Sequence, residues 1–273
     1  MTRFGPHIDP PLALIPAELA QRGHTVFQTT LRDPRRLSKE GIPDEVDQQT
    51  FLNGMAGIGG WWGMVHSSML TSLGSPDPRI RNASAGALVG DANLAAALGM
   101  AGVCFHVGYA KGHDSRDAAL DAVAYKLDEV LTKLKPGAKV LLENGCEGTE
   151  LGQTPEEIGH VIRAVQADPT KLGVTLDTCH LHVAGFDLAA PDAPERLAEE
   201  IQAAGFAAYL TSLHLNDARE ACGSHRDRHA PPGQGTIGEG LRRLMAHPLF
   251  ASLPCILEIS IAETAGAIAF LNG

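Results

Sequence analysis

The 273-residue sequence predicts a single domain with the fold of a (β/α)8 barrel. Short apolar runs typical of strands alternate along the chain with longer stretches of helical periodicity. Eight such strand–helix units in about 250 residues match the size of a barrel. A doubly wound open sheet is the competing fold, but no Gly-x-Gly-x-x-Gly turn follows the first strand. Because no Pro/Ser-rich linker or charge block divides the chain, we expect residues 1–273 to form one domain.

The predicted strands share apolar interiors that do not alternate cleanly with polar residues. Examples are VLL at 140–142 and GVTL at 173–176. Such runs are typical of parallel strands that are buried on both faces. The strands are predicted at residues 3–8, 24–30, 61–67, 103–107, 139–143, 172–177, 209–215 and 255–260.

Helices are predicted between most of these strands, and capping signals support several of them. In the segment Thr154-Pro155-Glu156-Glu157, a hydroxyl at the N-cap precedes a proline at the first helical position and a glutamate at the third. Residues 31–51 lack a clear period and are interpreted as a surface loop or short helix. The helices are predicted at 16–22, 78–98, 115–134, 155–167, 194–204, 238–246 and 263–271.

Composition and charge exclude several classes of protein. Lys and Arg number 22 against 32 Asp and Glu, so the formal net charge is −10, which disfavours a simple basic DNA-coating protein. Five scattered cysteines without a C-x-x-C pair argue against a disulfide framework or a thiolate metal cage. The first residues lack the apolar core of a signal peptide, and no uncharged apolar run reaches about 18 residues. We therefore expect a cytoplasmic protein without a membrane span.

Histidines and carboxylates fall at the C-terminal ends of six consecutive predicted strands. In a parallel barrel these ends share one face, where active sites are built. Imidazole and carboxylate ligands without thiolates suit zinc or a similar divalent ion. The residues are His66, His106, Glu143, Asp177, His214, Asp217 and Glu258, with His180 three positions after Asp177.

Each of these residues taken alone has a simpler interpretation. A lone histidine at a strand end is more often a core or surface residue, a glutamate can pair with an arginine, and an aspartate can cap the next helix. The set as a whole resists these interpretations, because burying many unpaired carboxylates is costly. Too few lysines or arginines stand at equivalent positions to neutralise them. Bound metal ions would do so, and the set therefore predicts a metal site.

A loop after the seventh strand adds two more potential ligands. The segment Asp227-Arg228-His229 can point two side chains to one side of an extended chain. Together with His180, these residues could complete another tetrahedral site. The alternative is a surface loop that is simply rich in charge.

Several of these segments resemble endonuclease IV, the metal-dependent apurinic/apyrimidinic endonuclease of base-excision repair. The resemblance extends from about the second strand to the C-terminus. It is strongest in GVTLDTCHLHVAGFDL (173–188) and HLNDAREACGSHRDRHAPPGQGTIG (214–238). The shorter segments FHVG (105–108), LLENG (141–145) and VHSSMLTSLGSP (65–76) also match the family.

The resemblance implies three zinc ions on the barrel, with manganese possible at some sites. One zinc would be held by His66, His106 and Glu143. A second would be held by Glu143 as a bridging ligand together with Asp177, His214 and Glu258. The third would be held by His180, Asp227 and His229.

The resemblance also implies hydrolysis of the phosphodiester 5′ to an abasic site in double-stranded DNA, with a 3′-hydroxyl and a 5′-deoxyribose phosphate as products. Paired metal ions about 3.5–4 Å apart suit an in-line displacement, because they stabilise both the attacking and the leaving oxygen. Glu143 and Glu258 are the candidate catalytic residues that position the nucleophile. We expect the protein to act as a monomer.

The DNA-facing loops depart from the family pattern more than the metal ligands do. The family inserts an arginine from the loop after the second strand, and Arg32, Arg35 or Arg36 could serve here. Met69 and Leu70 stand where the family usually has Tyr-Leu. The methionine could wedge between bases, or it could simply be a loop residue packed on the barrel.

Two alternative functions remain open at this point. A sugar isomerase or epimerase on a related xylose-isomerase-like barrel would fit the acidic charge and the altered loops. Such an enzyme typically needs fewer metals, however, and has no need of the trio His180, Asp227 and His229. A non-catalytic binder of damaged DNA is the other alternative, but it would not need a full set of metal ligands.

Overall fold

The structure is a computed structural model that describes residues 3–9 and 11–273. Eight parallel strands form a nearly closed barrel with helices between them, which confirms the predicted (β/α)8 fold. The strands of the chain are β1 (Arg3–Pro6), β2 (Val26–Thr29), β3 (Trp62–His66), β4 (Val103–His106), β5 (Val140–Glu143), β6 (Leu172–Asp177), β7 (Leu210–His214), β8 (Asp217–Ala218), β9 (His229–Ala230) and β10 (Pro254–Leu257).

The barrel closes between its first and second strands. The parallel order runs β1-β10-β7-β6-β5-β4-β3-β2, so β1 and β2 lie at the two ends of the sheet. A single parallel bridge joins His7 to Gln28, and the backbone N–H of Ile8 donates to the carbonyl of Gln28 at 2.8 Å. Gly5 allows this approach, because a Cβ there would lie 1.7 Å from the carbonyl oxygen of Val26. Strands β8 and β9 are not part of the barrel and form a separate antiparallel pair.

All the predicted helices are present, and two more occur that the sequence did not clearly indicate. The described helices are α1 (Ile15–Arg22), α2 (Glu45–Met55), α3 (Pro78–Ala97), α4 (Arg116–Lys133), α5 (Pro155–Ala164), α6 (Thr178–Ala184), α7 (Ala193–Ala204), α8 (Gly240–Ala246) and α9 (Ile261–Asn272). None of these helices is long and apolar enough to cross a membrane.

The two additional helices have identifiable local causes. Helix α2 lies in the segment that was interpreted as a loop or short helix, and it begins because the Asp44 side chain accepts from the Asp47 backbone N–H. Phe51 and Met55 bury its inner face. Helix α6 is only 7 residues long, too short to show a clear period, and the carboxylate of Asp177 caps it by accepting from the His180 N–H at 2.8 Å. This short helix directs His180 toward the barrel axis.

The apolar core has two layers. The larger layer fills the space between strands and helices and includes Phe27, Leu88 and Phe105, all fully buried. The smaller layer lies inside the barrel and consists of Val26, Met64, Cys104, Leu141 and Ile256. Because the barrel interior is filled with side chains, the polar space on the axis lies above the C-terminal strand ends.

Candidate metal centre

The predicted ligands converge on one cavity at the C-terminal ends of the barrel strands. The cavity has a volume of about 410 Å³, and seven of the nine predicted ligands line it. The other two, Asp177 and His214, are fully buried beside them. The residues that line the cavity are His7, Asp9, Thr30, Pro34, His66, Met69, His106, Glu143, His180, Asp227, His229, Glu258 and Ile259.

Glu143 stands at the centre of the cluster, at the end of β5. Its Oε2 lies 3.2 Å from Nε2 of His66 and 3.5 Å from Nε2 of His106. Its Oε1 lies 2.7 Å from Nδ1 of His214 and 3.8 Å from Nδ1 of His180. The two oxygens therefore face different groups of imidazoles, as a bridging carboxylate would.

A second group of potential ligands forms deeper in the barrel. Donor atoms of Glu143, Asp177, His214 and Glu258 all lie within 4.8 Å of one another. The Nδ1 of His214 is 3.4 Å from Oε2 of Glu258 and 3.9 Å from Oδ2 of Asp177. The side-chain amide of Asn216 holds this group in place by donating to Oδ2 of Asp177 at 2.7 Å and to Oε2 of Glu258 at 3.1 Å.

The third predicted trio also comes together. Asp227 lies between two imidazoles, with Oδ2 3.2 Å from Nε2 of His180 and Oδ1 3.1 Å from Nε2 of His229. The β8–β9 pair carries His229 to this position, and α6 carries His180. Nε2 of His229 is buried and, although it is close to Oδ1 of Asp227, forms no well-aligned hydrogen bond with any of the described residues. It points toward the carboxylates of Asp227 and Asp177, so a cation between these groups would satisfy it.

In all five imidazoles of the cluster, the ring nitrogen that faces away from the cluster forms a hydrogen bond to an oxygen. This arrangement fixes the tautomer and orientation of metal-binding histidines. His66 donates to the Ser67 carbonyl, His106 to Oε1 of Glu150, His180 to the Asn144 carbonyl, His229 to the Glu258 carbonyl and His214 to Oε1 of Gln28.

The charges of the cluster are balanced by histidine alone. Among the described residues, only imidazoles form ion pairs with Glu143 and Glu258. Burial lowers the pKa of His66, but the hydrogen bond and charge of Glu143 outweigh it and raise that pKa to about 9. Burial also raises the pKa of Glu258, but the positive charge of His214 and its neighbours brings it down to about 2. The carboxylates thus favour positive charge on the neighbouring imidazoles, and for the same reason they would favour a cation at this place.

Three buried cysteines lie close to the cluster, and their sulfur atoms fall within 4.8 Å of donor atoms of the predicted ligands: Cys104 near His66 and Glu143, Cys146 near His180 and Asp227, and Cys179 near Asp177 and His229. The Sγ of Cys104 donates to Oε2 of Glu143 at 3.2 Å. Burial raises the pKa of Cys104, Cys146 and Cys179 well above the usual range, and neighbouring carboxylates add to the effect. The nine predicted ligands themselves offer nitrogen and carboxylate oxygen, a donor set that fits zinc or a similar divalent ion.

Comparison with known proteins agrees with this geometry. Residues 16–272 match a family described as the xylose isomerase-like TIM barrel. The probable endonuclease 4 of Chlorobium phaeovibrioides (strain DSM 265 / 1930) is 36% identical over 199 residues, 72% of this chain and 71% of the relative. That of Campylobacter concisus (strain 13826) is 31% identical over 246 residues, 89% and 86% of the two chains. The chain belongs to the endonuclease IV family.

A solved structure of the endonuclease IV family has the same architecture. The crystal structure of endonuclease IV from Thermus thermophilus superposes with a TM-score of 0.84 at 27% identity. The superposition covers 99% of this chain and 97% of the Thermus chain. The likeness thus includes the whole barrel as well as the segments that carry the candidate ligands.

The three arginines of this chain that were predicted as candidates for DNA contact lie in different environments. Arg32 is buried and forms a bidentate ion pair with Asp91, with Nη2 2.6 Å and Nε 2.8 Å from the carboxylate oxygens. Its guanidinium is thus not free at the surface, which corrects the expectation that it could insert into DNA. Arg35 has 84% of its side chain exposed, and Arg36 is half-exposed beside Glu40 and Asp33.

Met69 and Leu70 project from the rim of the cavity, on the loop after β3. Their exposed fractions are 72% and 52%, and Met69 also lines the cavity. The backbone N–H of Met69 donates to the carbonyl of Pro34 at 2.9 Å, which ties this loop to the loop that carries Arg35. The two loops of this chain that are predicted to contact DNA therefore meet at one side of the cavity.

Four polar residues that support the cluster were not predicted from the sequence: Gln28, Asn144, Glu150 and Asn216. Gln28 lies near the C-terminal end of β2, but it is neither a histidine nor a carboxylate, so the criterion that selected the ligands did not include it. Asn144 follows Glu143 directly and bonds the backbone of Asp177 with both ends of its amide. Nothing in the sequence pattern separates such supporting residues from ordinary loop residues.

Proposed function

We propose that this protein is a metal-dependent endonuclease that hydrolyses the phosphodiester 5′ to an abasic site in double-stranded DNA. The observation that carries the proposal is the convergence of five imidazoles and four carboxylates on one cavity, with no lysine or arginine of the described residues paired to those carboxylates. The membership of the endonuclease IV family supports DNA as the substrate.

Three ions would be held by the nine ligands, in the sets that the family resemblance implies. The ligands proposed are His66, His106 and Glu143 for one ion, Glu143, Asp177, His214 and Glu258 for the second, and His180, Asp227 and His229 for the third. Zinc is the ion proposed, with manganese possible at some sites. When bound, such ions lower the pKa of water and stabilise negative charge on phosphate oxygens.

The catalytic residues in this proposal are Glu143 and Glu258. Both carboxylates line the cavity, and the buried side-chain amides of Asn216 and Gln28 support Glu258 by donating to its two oxygens. From the wall of the cavity they can orient an attacking water toward a phosphate at the mouth. Because their supports are buried, little reorganisation is required of them during the reaction.

Recognition of the lesion is assigned to the rim of the cavity. An abasic nucleotide can be extruded more readily than a paired one, because no base pair is broken. Arg35 or Arg36 would contact the backbone or enter the gap, and Met69 and Leu70 would fill the space left in the stack. These four residues lie on the two loops that meet beside the cavity.

A sugar isomerase or epimerase remains the alternative enzyme class. The pairing of Asp227 with His180 and His229 is an observation against it, since a one-metal isomerase has no need of this trio. A non-catalytic binder of damaged DNA has no need of the full ligand set.

The test is incision of a duplex that contains one synthetic abasic site. Zinc-loaded protein is expected to cut only the lesion strand, on the 5′ side, and to leave a 3′-hydroxyl that a polymerase extends. Glu258→Gln is expected to lower incision by at least about 100-fold, as loss of a preorganised charged group does. Glu263→Gln is the matched control, because Glu263 lies in the first turn of α9 outside the cluster.

Three results would contradict the proposal. The first is failure of the fully metal-loaded protein to cut the abasic duplex, and the second is wild-type activity in Glu258→Gln. The third is equal incision of abasic and intact duplex, which would leave a nuclease without the proposed specificity.

A further inference from the structure

The side chain of Gln28 joins two proposed metal ligands at the inner wall of the barrel. Gln28 is fully buried. Its Oε1 accepts from Nε2 of His214 at 2.8 Å, and its Nε2 donates to Oε1 of Glu258 at 2.7 Å. The same Nε2 donates its other proton to Nδ1 of His7 at 2.8 Å. All the hydrogen-bonding groups of this amide are thereby used by side chains.

We propose that Gln28 is a positioning residue that determines which nitrogen of His214 and which oxygen of Glu258 are offered to a metal ion. The inference rests on the metal centre of the proposed function and assigns no new step of the reaction. It concerns a residue that lies on β2, a strand that supplies none of the nine ligands.

His214 differs from the other four imidazoles in its orientation. His66, His106, His180 and His229 turn Nε2 toward the carboxylates and bond outward through Nδ1. His214 turns Nδ1 inward, 2.7 Å from Oε1 of Glu143, and bonds outward through Nε2. It can therefore ligate a metal only as the tautomer with its proton on Nε2, and Gln28 is the acceptor for that proton.

The amide of Gln28 cannot be reversed without losing two contacts. After a flip, its NH2 group would face the Nε2–H of His214, and its oxygen would face the carboxylate of Glu258. The correct orientation is reinforced from outside, because Nε2 of His7 donates to Oδ2 of Asp9 at 3.0 Å, which leaves Nδ1 of His7 as an acceptor. Thr30 in turn donates to Oδ1 of Asp9 at 3.0 Å. This chain of hydrogen bonds runs from the cavity mouth to the buried ligands.

The consequence for the metal centre follows from the chemistry of the two ligands. Without an acceptor at Nε2, His214 is free to carry its proton on Nδ1, where it blocks coordination. Without a donor at Oε1, the carboxylate of Glu258 is free to rotate. Loss of such supporting partners typically weakens metal affinity about 10- to 100-fold.

The test compares Gln28→Met with Thr175→Val in the full-length protein. Methionine preserves the volume of glutamine but makes none of the three hydrogen bonds. Thr175→Val removes a buried hydroxyl bond to Ser212, 2.8 Å long, in which none of the nine ligands takes part. Zinc affinity is measured by competition with a chromophoric chelator, and the melting temperature of the zinc-free proteins measures folding separately.

The expected result is that Gln28→Met binds one zinc about 10- to 100-fold more weakly than wild type, whereas Thr175→Val binds all its zinc as wild type does. Equal zinc affinity in Gln28→Met and wild type would overturn the inference while leaving the proposed function intact. If wild type binds no zinc, the inference and the proposed function fall together.

A second measurement uses the wild-type protein and is independent of the folding of any variant. Long-range ¹H–¹⁵N spectra of the zinc-loaded protein report the tautomer of each histidine. Of the imidazoles whose signals change on zinc loading, four are expected to carry the proton on Nδ1 and one on Nε2. If all of these histidines carry the proton on Nδ1, the positioning role proposed for Gln28 is wrong.

Discussion

The contrasting burial of two arginines on the loop after β2 separates a structural role from a binding role. Arg32 and Arg35 lie three positions apart in the sequence. The guanidinium of Arg32 is enclosed by Asp91 and by the carbonyl oxygens of Leu37 and Ser38, so it fixes the loop on α3. That of Arg35 is exposed and pairs with Asp33 at the surface. The first arginine stabilises the loop, and the second is accessible to a phosphate backbone.

Arg32→Met and Arg35→Ala should therefore affect different measurements. Removal of Arg32 leaves Asp91 buried without its partner, and we expect the free energy of unfolding in urea to fall by about 3–5 kcal/mol. Removal of Arg35 should change it by no more than about 0.5 kcal/mol. Binding to an abasic duplex, measured by fluorescence anisotropy, should weaken for Arg35→Ala. The assignment fails if Arg35→Ala destabilises the fold as much as Arg32→Met does.

Residue-level prediction from the sequence worked best where chemistry and strand position agree. His66, Glu143 and Glu258 could be selected because the ends of parallel strands share one face, so type and position suffice. The burial of Arg32 could not be foreseen, since its partner Asp91 lies 59 positions away on α3. The role of Gln28 likewise depends on the rotamers of side chains from other strands.

At the scale of elements, β9 and the loop before it supply two ligands of the third group, Asp227 and His229, and a single carboxylate holds the loop that follows β9. The side chain of Asp217 is buried, and its two oxygens accept from the backbone N–H groups of Gly233, Gly235, Ile237 and Gly238. The N–H of Ala218 also donates to it at 2.8 Å. Asp217 was grouped with the rim carboxylates in the sequence, but its oxygens are used within the loop rather than in the cavity.

Asp217→Asn should loosen this loop and weaken the third metal group alone. The substitution replaces an acceptor oxygen with an NH2 group, and a buried N–H left without an acceptor costs about 1–3 kcal/mol. We expect elemental analysis to find close to two metals per chain instead of three. Asp187→Asn is the matched control, because that aspartate accepts from the Ala189 N–H in an exposed turn. Full metal content in Asp217→Asn would contradict the role given to this loop.

The loop after β3 is the second element with a separable function. Met69 is exposed at the rim, whereas Ser67 and Ser68 beside it are buried. Met69→Ala should weaken binding of an abasic duplex, because an apolar wedge is lost, and leave cleavage of a small phosphodiester nearly unchanged. Comparison of the two substrates checks the prediction, and an equal effect on both would remove the wedge role.

Apart from α2, the elements that the sequence failed to indicate are short. Helix α6 has 7 residues, and β8 and β9 have 2 each, so none is long enough to show a period. They form because of specific contacts, such as the capping of α6 by Asp177. The eight barrel strands were predictable because burial on both faces gives each one a continuous apolar run.

At the scale of the whole molecule, the acidic composition and the metal centre are linked. The chain carries a formal charge of −10, and three divalent zinc ions would reduce it to −4. All of that added charge would lie at one face of the barrel. Since charges are screened over about 8 Å at physiological ionic strength, a phosphate at the mouth would experience the local cations more than the distant acidic surface.

The distribution of the ligands over the barrel predicts that metal removal destabilises the whole fold. The candidate ligands come from five of the eight barrel strands, from the residue after β10, from α6, from β9 and from the loop before β9, so ions bound there join elements that are distant in the sequence. A site occupied at about 100 times its Kd adds about 2.7 kcal/mol to stability. About 1 kcal/mol corresponds to about 2–4 °C in a chain of this size, so chelation should lower Tm by about 10 °C or more.

Differential scanning calorimetry with and without EDTA measures this shift, and re-addition of zinc should restore the original Tm. Glu143→Gln provides the internal control, because it alters the carboxylate that faces two of the three ligand groups. Its Tm should respond to chelation much less than that of wild type, since only the group of His180, Asp227 and His229 keeps its full ligand set. Identical melting of wild type with and without EDTA would show that the cluster binds no metal that contributes to the fold.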